Sequence, residues 1–152
     1  MNDLFLGFDT NSKEPLNFLE GRIHDLTPFA ALEVKIDGVI YKTAEHAYQA
    51  LRVPIEYRQS ILNASSPLEA WKEGQKCKTM GAVLELDKDE LMEKIFRTKL
   101  NQHPYLKEVL TATEGRELVK IIPTDLYWGM NENKEGENKM GKLWMKLRDE
   151  LQ

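Results

Sequence analysis

The sequence predicts a helix-rich α+β protein, with one small β-sheet, several helices and one core, in a single domain over residues 1–152. Three observations predict it. The run "LEVKIDGVIY" alternates apolar residues around Asp37-Gly38, a hairpin signature, because glycine accepts the positive φ of a tight turn. Several stretches carry a helix-start residue followed by apolar residues at helical spacing. No repeat, low-complexity tract or Gly/Pro/Ser-rich linker divides the chain, and 152 residues suffice for one substantial core.

In chain order, the first 30 residues read as irregular, and the opening segment to about residue 14 most of all, with Phe5, Phe8, Leu16, Phe18 and Leu19 separated by turn formers. After the hairpin, Thr43 is placed to cap a helix. In "SSPLEAW", Ser66 is the cap, Pro67 takes the first helical position and Glu69 completes a capping box. In "DKDELMEKIFRTKLNQ", Asp87 caps and Leu91, Met92, Ile95 and Phe96 form a stripe. Pro104 opens a short helix through Leu110, and "ELVKII" reads as a strand. The chain closes on a helix whose Met140, Leu143, Trp144, Leu147 and Leu151 share one face.

The composition, 41% hydrophobic and 30% charged, is that of a globular protein, and a net charge of −4 gives no general attraction for nucleic acid or anionic membranes. A local basic patch from Lys72, Lys76 and Lys78 beside Lys99 stays open. A lone cysteine, Cys77, excludes an intrachain disulfide and a Cys-rich zinc site. Its flanking lysines would lower its pKa, yet no histidine partner accompanies it. His24, His46 and His103 lack metal-ligand spacing and read as surface or packing residues, so neither metal nor cofactor is expected. "MNDLFLGFDTNSK" is not a secretory signal, and no window reaches the roughly 18 apolar residues of a membrane span. The expected location is the cytoplasm, without membrane partners.

Two segments carry more polar chemistry than folding requires. In "YKTAEHAYQALR", Glu45, Gln49 and Arg52 share a helical face with Tyr48 at its edge, while Ala44, Ala47 and Leu51 lie towards the opposite side. Glu45 has two readings. In the first turn a carboxylate meets the positive end of the helix dipole, which is a structural reason for it. The same dipole favours the ionised form, which suits a base or a stabiliser of positive charge. The second segment is "PTDLYWGMNENKEGENKMG". Asp125, Tyr127 and Trp128 precede a polar loop with Gly129, Gly136 and Gly141, running into the last helix. Gly-rich turns before a helix bring backbone N–H groups close to an anion or ribose, although the P-loop lysine and Ser/Thr are absent. An aromatic pair beside an acid suits a planar ligand, and Trp128 as a core anchor is the competing reading.

Together these segments resemble the NADAR family of YbiA-like proteins. "IDGVIYKTAEHAYQA" is similar to its entry motif, a hairpin into an "(S/T)xEHxxQA" helix. "DLYWGMNENKEGENKMGKLWMKLRDEL" is similar to its closing motif, an Asp-x-x-Trp-Gly turn, a Gly-x-Asn-x-x-Gly loop and an amphipathic helix. "SSPLEAWKEGQ" and "FRTKLNQHPYLKEVLTAT" match in kind and order, so the resemblance spans roughly Pro15 to the C-terminus. It implies the YbiA-like fold and hydrolysis of an N-glycosidic bond, either in a phosphorylated riboflavin-pathway intermediate or in ADP-ribose linked to a base, including ADP-ribosylated guanine in DNA. By the family pattern Glu45 is the catalytic carboxylate. Asp125 orients the ribose or acts as a second carboxylate, and Trp128 stacks the base. Asn138, with Gly129 and the loop amides, holds hydroxyl or phosphate oxygens. Gln49 and Arg52 are supporting or anion contacts, and Phe18 in "PLNFL" is an aromatic of the same site. Arg52 stands where many relatives carry lysine, and Leu84 lies near the place of a relative's tryptophan.

The expected partner is therefore a small nucleotide or ribose-phosphate substrate, with ADP-ribosylated nucleic acid as a further candidate; the sequence sets no oligomeric state. Two other classes compete. One is a non-catalytic ADP-ribose or nucleotide-binding module, although extra carboxylates give a binder of anions no advantage. The other is an interaction protein using the Trp144 helix, whose stripe is more simply core.

Overall fold

In the computed structural model, which describes residues 2–152, the chain begins with α1 (Asp3–Leu6), β1 (Leu16–Asn17) and a 3-10 helix (Gly21–Leu26). A hairpin of β2 (Val34–Ile36) and β3 (Val39–Tyr41) leads into α2 (Ala44–Leu51). A 3-10 turn (Ile55–Tyr57), α3 (Arg58–Leu62), α4 (Pro67–Thr79), α5 (Lys88–Gln102) and α6 (Tyr105–Thr111) follow, then β4 (Leu118–Val119) and α7 (Lys139–Asp149). The chain forms two compact units, one of Thr27–Gln102 and one made of the segments up to Leu26 and from His103 onward.

The Thr27–Gln102 unit is built around α2. The hairpin is antiparallel, with Val34 opposite Tyr41 and Ile36 opposite Val39, and it turns on Asp37 (φ 51) and Gly38 (φ 82). Two left-handed residues are what a tight hairpin needs to match strand twist. The backbone of Lys35 is bonded by the Gln102 side chain, which accepts from its N–H and donates to its carbonyl, both at 2.8 Å. That amide acts as a one-residue strand and closes the β2 edge against further pairing. Ser66 Oγ accepts from Glu69 N at 3.1 Å to start α4, and Asp87 Oδ1 accepts from Asp89 N and Glu90 N to start α5. Met92, Ile95, Phe96 and Leu100 form the buried stripe of α5. Helices α3, α4 and α5 and strand β3 all pack on α2, whose alanines 44, 47 and 50 are fully buried. Small side chains allow that close enclosure.

Helix α2 starts at Thr43, whose Oγ1 accepts from His46 N. Thr43 Oγ1 also lies 2.7 Å from His46 Nδ1, and His46 Nε2 lies 2.9 Å from the Ala64 carbonyl. A carbonyl only accepts, so Nε2 carries the proton and the threonine hydroxyl donates to Nδ1. His46 is thus a neutral packing residue that ties the helix start to the end of α3.

In the other unit β1 and β4 pair in parallel, Leu16 with Leu118 and Asn17 with Val119. Met140, Trp144 and Leu147 bury one face of α7, which packs on β4 and α6. Tyr105 donates to Asp25 at 3.0 Å; burial, reinforced by that carboxylate, pushes the phenol up to about 12. Two buried arginines hold the loops. Arg116 donates to the Glu14 and Asp9 carbonyls at 2.7 and 2.9 Å. Arg148 Nη1 reaches the carbonyls of Thr113 and Arg116 at 2.7 and 2.8 Å and Thr113 Oγ1 at 3.1 Å.

The helix-rich α+β character matches the expectation, with four differences. Two separate two-stranded sheets replace the one small sheet. "ELVKII" supplies only two strand residues, because beyond Val119 the Lys120 amide turns to the Asn138 side chain and the Lys120 carbonyl to Met130. The first 30 residues are more regular than expected: Asn2 Oδ1 caps α1 at 2.9 Å, and Leu6, Phe8, Leu16 and Phe18 are core. Leu151 lies beyond the end of α7 and is 37% exposed, so it does not continue the buried face. Among the described residues no helix is long and apolar enough to cross a membrane.

Two outcomes follow. Arg148→Met takes the Nη1 donor from the Thr113 and Arg116 carbonyls, the Thr113 carbonyl keeping the Arg116 amide, and is expected to cost about 2–4 kcal/mol in urea unfolding. Burial, the largest effect, holds the His46 pKa below its ordinary 6.5, and Lys42 adds to the lowering against the Ala64 carbonyl. The unfolded chain therefore takes up a proton that the folded chain refuses, so stability is full above about pH 6.5 and falls as the pH drops below it. In His46→Gln, denaturation midpoints measured across that range should lose this component of the slope.

Candidate active site

Glu45 sits in the first turn of α2 and is 6% exposed. Its amide donates to the Pro28 carbonyl at 3.1 Å, and its Oε1 accepts from Gln49 Nε2 at 2.9 Å. One helical turn separates the two residues, so the helix itself sets their register. Gln49 is equally buried and lies across Gly74 of α4, where a Cβ would run into its amide oxygen. The residue before Pro28 is held too: the Thr27 carbonyl accepts from Lys99 Nζ at 2.6 Å, and Lys99 is fully buried. Thr27-Pro28 thus links a buried ammonium on α5 to the amide of Glu45.

The expectation that α2 packs one side and offers Glu45, Gln49 and Arg52 on the other is corrected. Every residue from Ala44 to Ala50 is buried, because neighbours enclose the helix all round. Arg52 is the exception. It is half-buried at the C-cap, its guanidinium 4.8 Å from the centre of the Tyr48 ring, and its carbonyl accepts from Leu84 N.

In the other unit, Asp125, Trp128, Gly129 and Asn138 form one hydrogen-bonded assembly. Asp125 Oδ1 accepts from Tyr127 N at 3.1 Å and Trp128 N at 3.0 Å, and its carbonyl accepts from Gly129 N. Its Oδ2 has no hydrogen-bond partner among the described residues. Gly129 fits because a Cβ would press on Ile122 and lie 2.6 Å from the Lys120 carbonyl oxygen. Trp128 is 9% exposed and meets the Tyr127 ring edge-on at 5.0 Å; Lys139 Nζ lies 4.6 Å from the centre of that tyrosine.

Two features of this segment differ from their expected use. Asn138 is 1% exposed, with Oδ1 accepting from Lys120 N and Nδ2 donating to the Leu118 carbonyl, so the amide holds backbone in place. Nor are the four amides leading into α7 open to an anion: those of Glu137, Asn138, Lys139 and Met140 donate to the carbonyls of Leu126, Gly129, Tyr127 and Trp128. Phe18 is 2% exposed and belongs to the core of its unit, its amide bonded to the Val119 carbonyl.

Two further expectations are corrected. Burial, helped by Glu73, pushes the Cys77 thiol up rather than letting the lysines lower it. Lys99 cannot contribute to a surface patch, and Lys72 and Lys76 pair with Glu69 and Glu73. Among the described residues no three His, Cys, Asp or Glu side chains gather where they could hold a metal ion. Gly74 and Lys99 are parts of the Glu45 environment that the sequence motifs do not include. A glycine inside a strong helix was the available signal for the first; for Lys99 nothing local distinguished it from a solvated helix-end cation.

A model of the NADAR domain matches residues 12–152. The N-glycosidase YbiA of Shigella boydii serotype 4 (strain Sb227) is 38% identical over 129 residues, covering 84% of this chain and 81% of its own length. A riboflavin biosynthesis protein of Zea mays, the chloroplastic PYRR, is 33% identical over 127 residues, 76% of this chain but only 20% of that larger protein. Among solved structures, the NMR structure of the E. coli protein YbiA superposes with a TM-score of 0.78 at 33% identity, covering 92% of this chain and 86% of that one. The chain belongs to the NADAR domain family, and with its N-glycosidase relatives it is a hydrolase acting on N-glycosyl bonds.

Proposed function

We propose that this hydrolase cleaves the ribose C1′–N bond of a phosphorylated intermediate of riboflavin biosynthesis, with Glu45 as its catalytic carboxylate. The observation that carries the reading is the Glu45 side chain itself. A carboxylate withdrawn from water is costly, and a merely structural first-turn residue would stand in solvent. The resemblance to the maize riboflavin biosynthesis protein supports the substrate class.

The chemistry suits the group. As the C1′–N bond breaks, the base leaves with the bonding pair and takes up a proton, and positive charge builds on C1′ and the ring oxygen. A fixed carboxylate stabilises that charge and accepts a proton from the water whose oxygen bonds C1′. The products are a ribose phosphate and the free base. Low local dielectric strengthens the effect and leaves no solvent to reorganise. Gln49 holds the carboxylate in place through its 2.9 Å bond. Within the same unit as Glu45, we assign the Arg52 guanidinium to the phosphate, where its planar donors match two oxygens at once. Gly129, Asn138 and Phe18 keep the shape of the turn and core that present Asp125 and Trp128.

The test is hydrolysis of a panel holding the aminopyrimidine ribose phosphates of flavin synthesis, NAD-derived nucleotides and ADP-ribosylated guanine in DNA, with products read by mass spectrometry. The wild type should cleave the aminopyrimidine substrate, and Glu45→Gln should slow it by at least about 10²-fold. Preferential cleavage of ADP-ribosylated guanine would move the substrate to ADP-ribose-linked bases. Absence of any cleavage, with one nucleotide raising the melting temperature equally in both proteins, would make the chain a binding module.

A further inference from the structure

We infer that Gly74 is a positioning residue of the active site, and that its lack of a side chain is what lets Gln49 hold Glu45. The inference rests on the reading of Glu45 as the catalytic carboxylate. A glycine inside a helix is unfavourable because it frees the unfolded backbone and packs nothing. Gly74 nevertheless lies within the 13 residues of α4, buried, on a helix in contact with α2. The occupant of its missing side-chain volume is the Gln49 amide: a Cβ there would overlap Oε1, and would lie 2.7 Å from Cδ and 3.2 Å from Cγ.

The orientation of that amide follows from its partner. An ionised carboxylate only accepts, so Nε2 must face Glu45 and Oε1 must face α4. The oxygen then needs the space above Gly74. A methyl group at residue 74 cannot be avoided by a small shift, because three consecutive atoms of the Gln49 side chain lie within reach of it. Gln49 would have to change rotamer and withdraw its N–H from Glu45. Gly74 therefore acts on the reaction only through Gln49.

The test compares wild type, Gln49→Ala, Gly74→Ala and the double variant by two readouts, turnover and titration of the Glu45 carboxyl followed by ¹³C NMR. The ionisable groups on α2 and its neighbours, among them His46, Tyr48, Arg58, Glu73, Glu93 and Lys99, are the same in all four proteins. Losing a donor to the ionised form should raise the Glu45 titration midpoint by about half to one pH unit in Gln49→Ala. Gly74→Ala should give the same rise, and the double variant no further one. Turnover should fall about 10-fold in each, again without addition in the double variant. Should Gly74→Ala fail to fold, a folded Gly74→Ala/Gln49→Ala protein would support the collision. A double variant that also fails to fold, an unshifted titration in folded Gly74→Ala, or additive effects would overturn the inference. A shifted titration with unchanged turnover would uphold the Gly74–Gln49 arrangement and defeat the catalytic reading of Glu45 instead.

Discussion

The hydrogen bond between Gln49 and Glu45, set one turn apart on a helix enclosed on all sides, is the constraint on which the Thr27–Gln102 unit depends. A carboxylate taken out of water must be compensated locally. The unit supplies compensation locally. The helix start contributes its dipole and the Gln49 amide contributes a donor. Pro28 takes up the Glu45 amide, so the turn that presents the carboxylate does not fray. Each has a packing consequence: alanines on α2, a glycine on α4 and a buried lysine on α5 that fixes the Thr27 carbonyl.

The unit containing the Asp125–Gly141 segment is organised on a different principle. Its polar side chains are spent on backbone. Asp125 builds the turn that carries Trp128, Asn138 joins that turn to β4, and four successive amides leading into α7 are satisfied by the carbonyls of residues 126–129. The end of a loop that looks suited to anions by composition is thus closed by its own hydrogen bonds. The turn carries the Asp125 carboxylate and the Trp128 ring in fixed positions. Rigidity of this kind is what a positioned side chain requires.

Local devices were legible in the sequence and enclosure was not. The Asp37-Gly38 turn and the Thr43, Ser66 and Asp87 caps are decided within four residues, and all four are present, although the Glu69 carboxylate pairs with Lys72 instead of completing a capping box. The β1–β4 pairing joins segments far apart in sequence, so no local pattern announced it. Helical periodicity sorts residues by polarity and so predicts an exposed polar face for α2, and the buried Glu45 carboxylate breaks that rule. The two-sided use of the Asn138 amide depends on where the Lys120 and Leu118 backbone lies, which sequence alone does not place. Gly74 was legible in principle, since a glycine in mid-helix needs a reason.

The central claim is that Glu45 is retained for chemistry at the expense of stability. Urea unfolding of Glu45→Gln at neutral pH tests it most directly. The substitution keeps the shape of the side chain and its acceptor for Gln49 while removing a buried charge, so the account predicts stability equal to or greater than that of the wild type. A loss of about 3 kcal/mol or more would show that the charge is itself part of what holds the fold together, and would contradict the account.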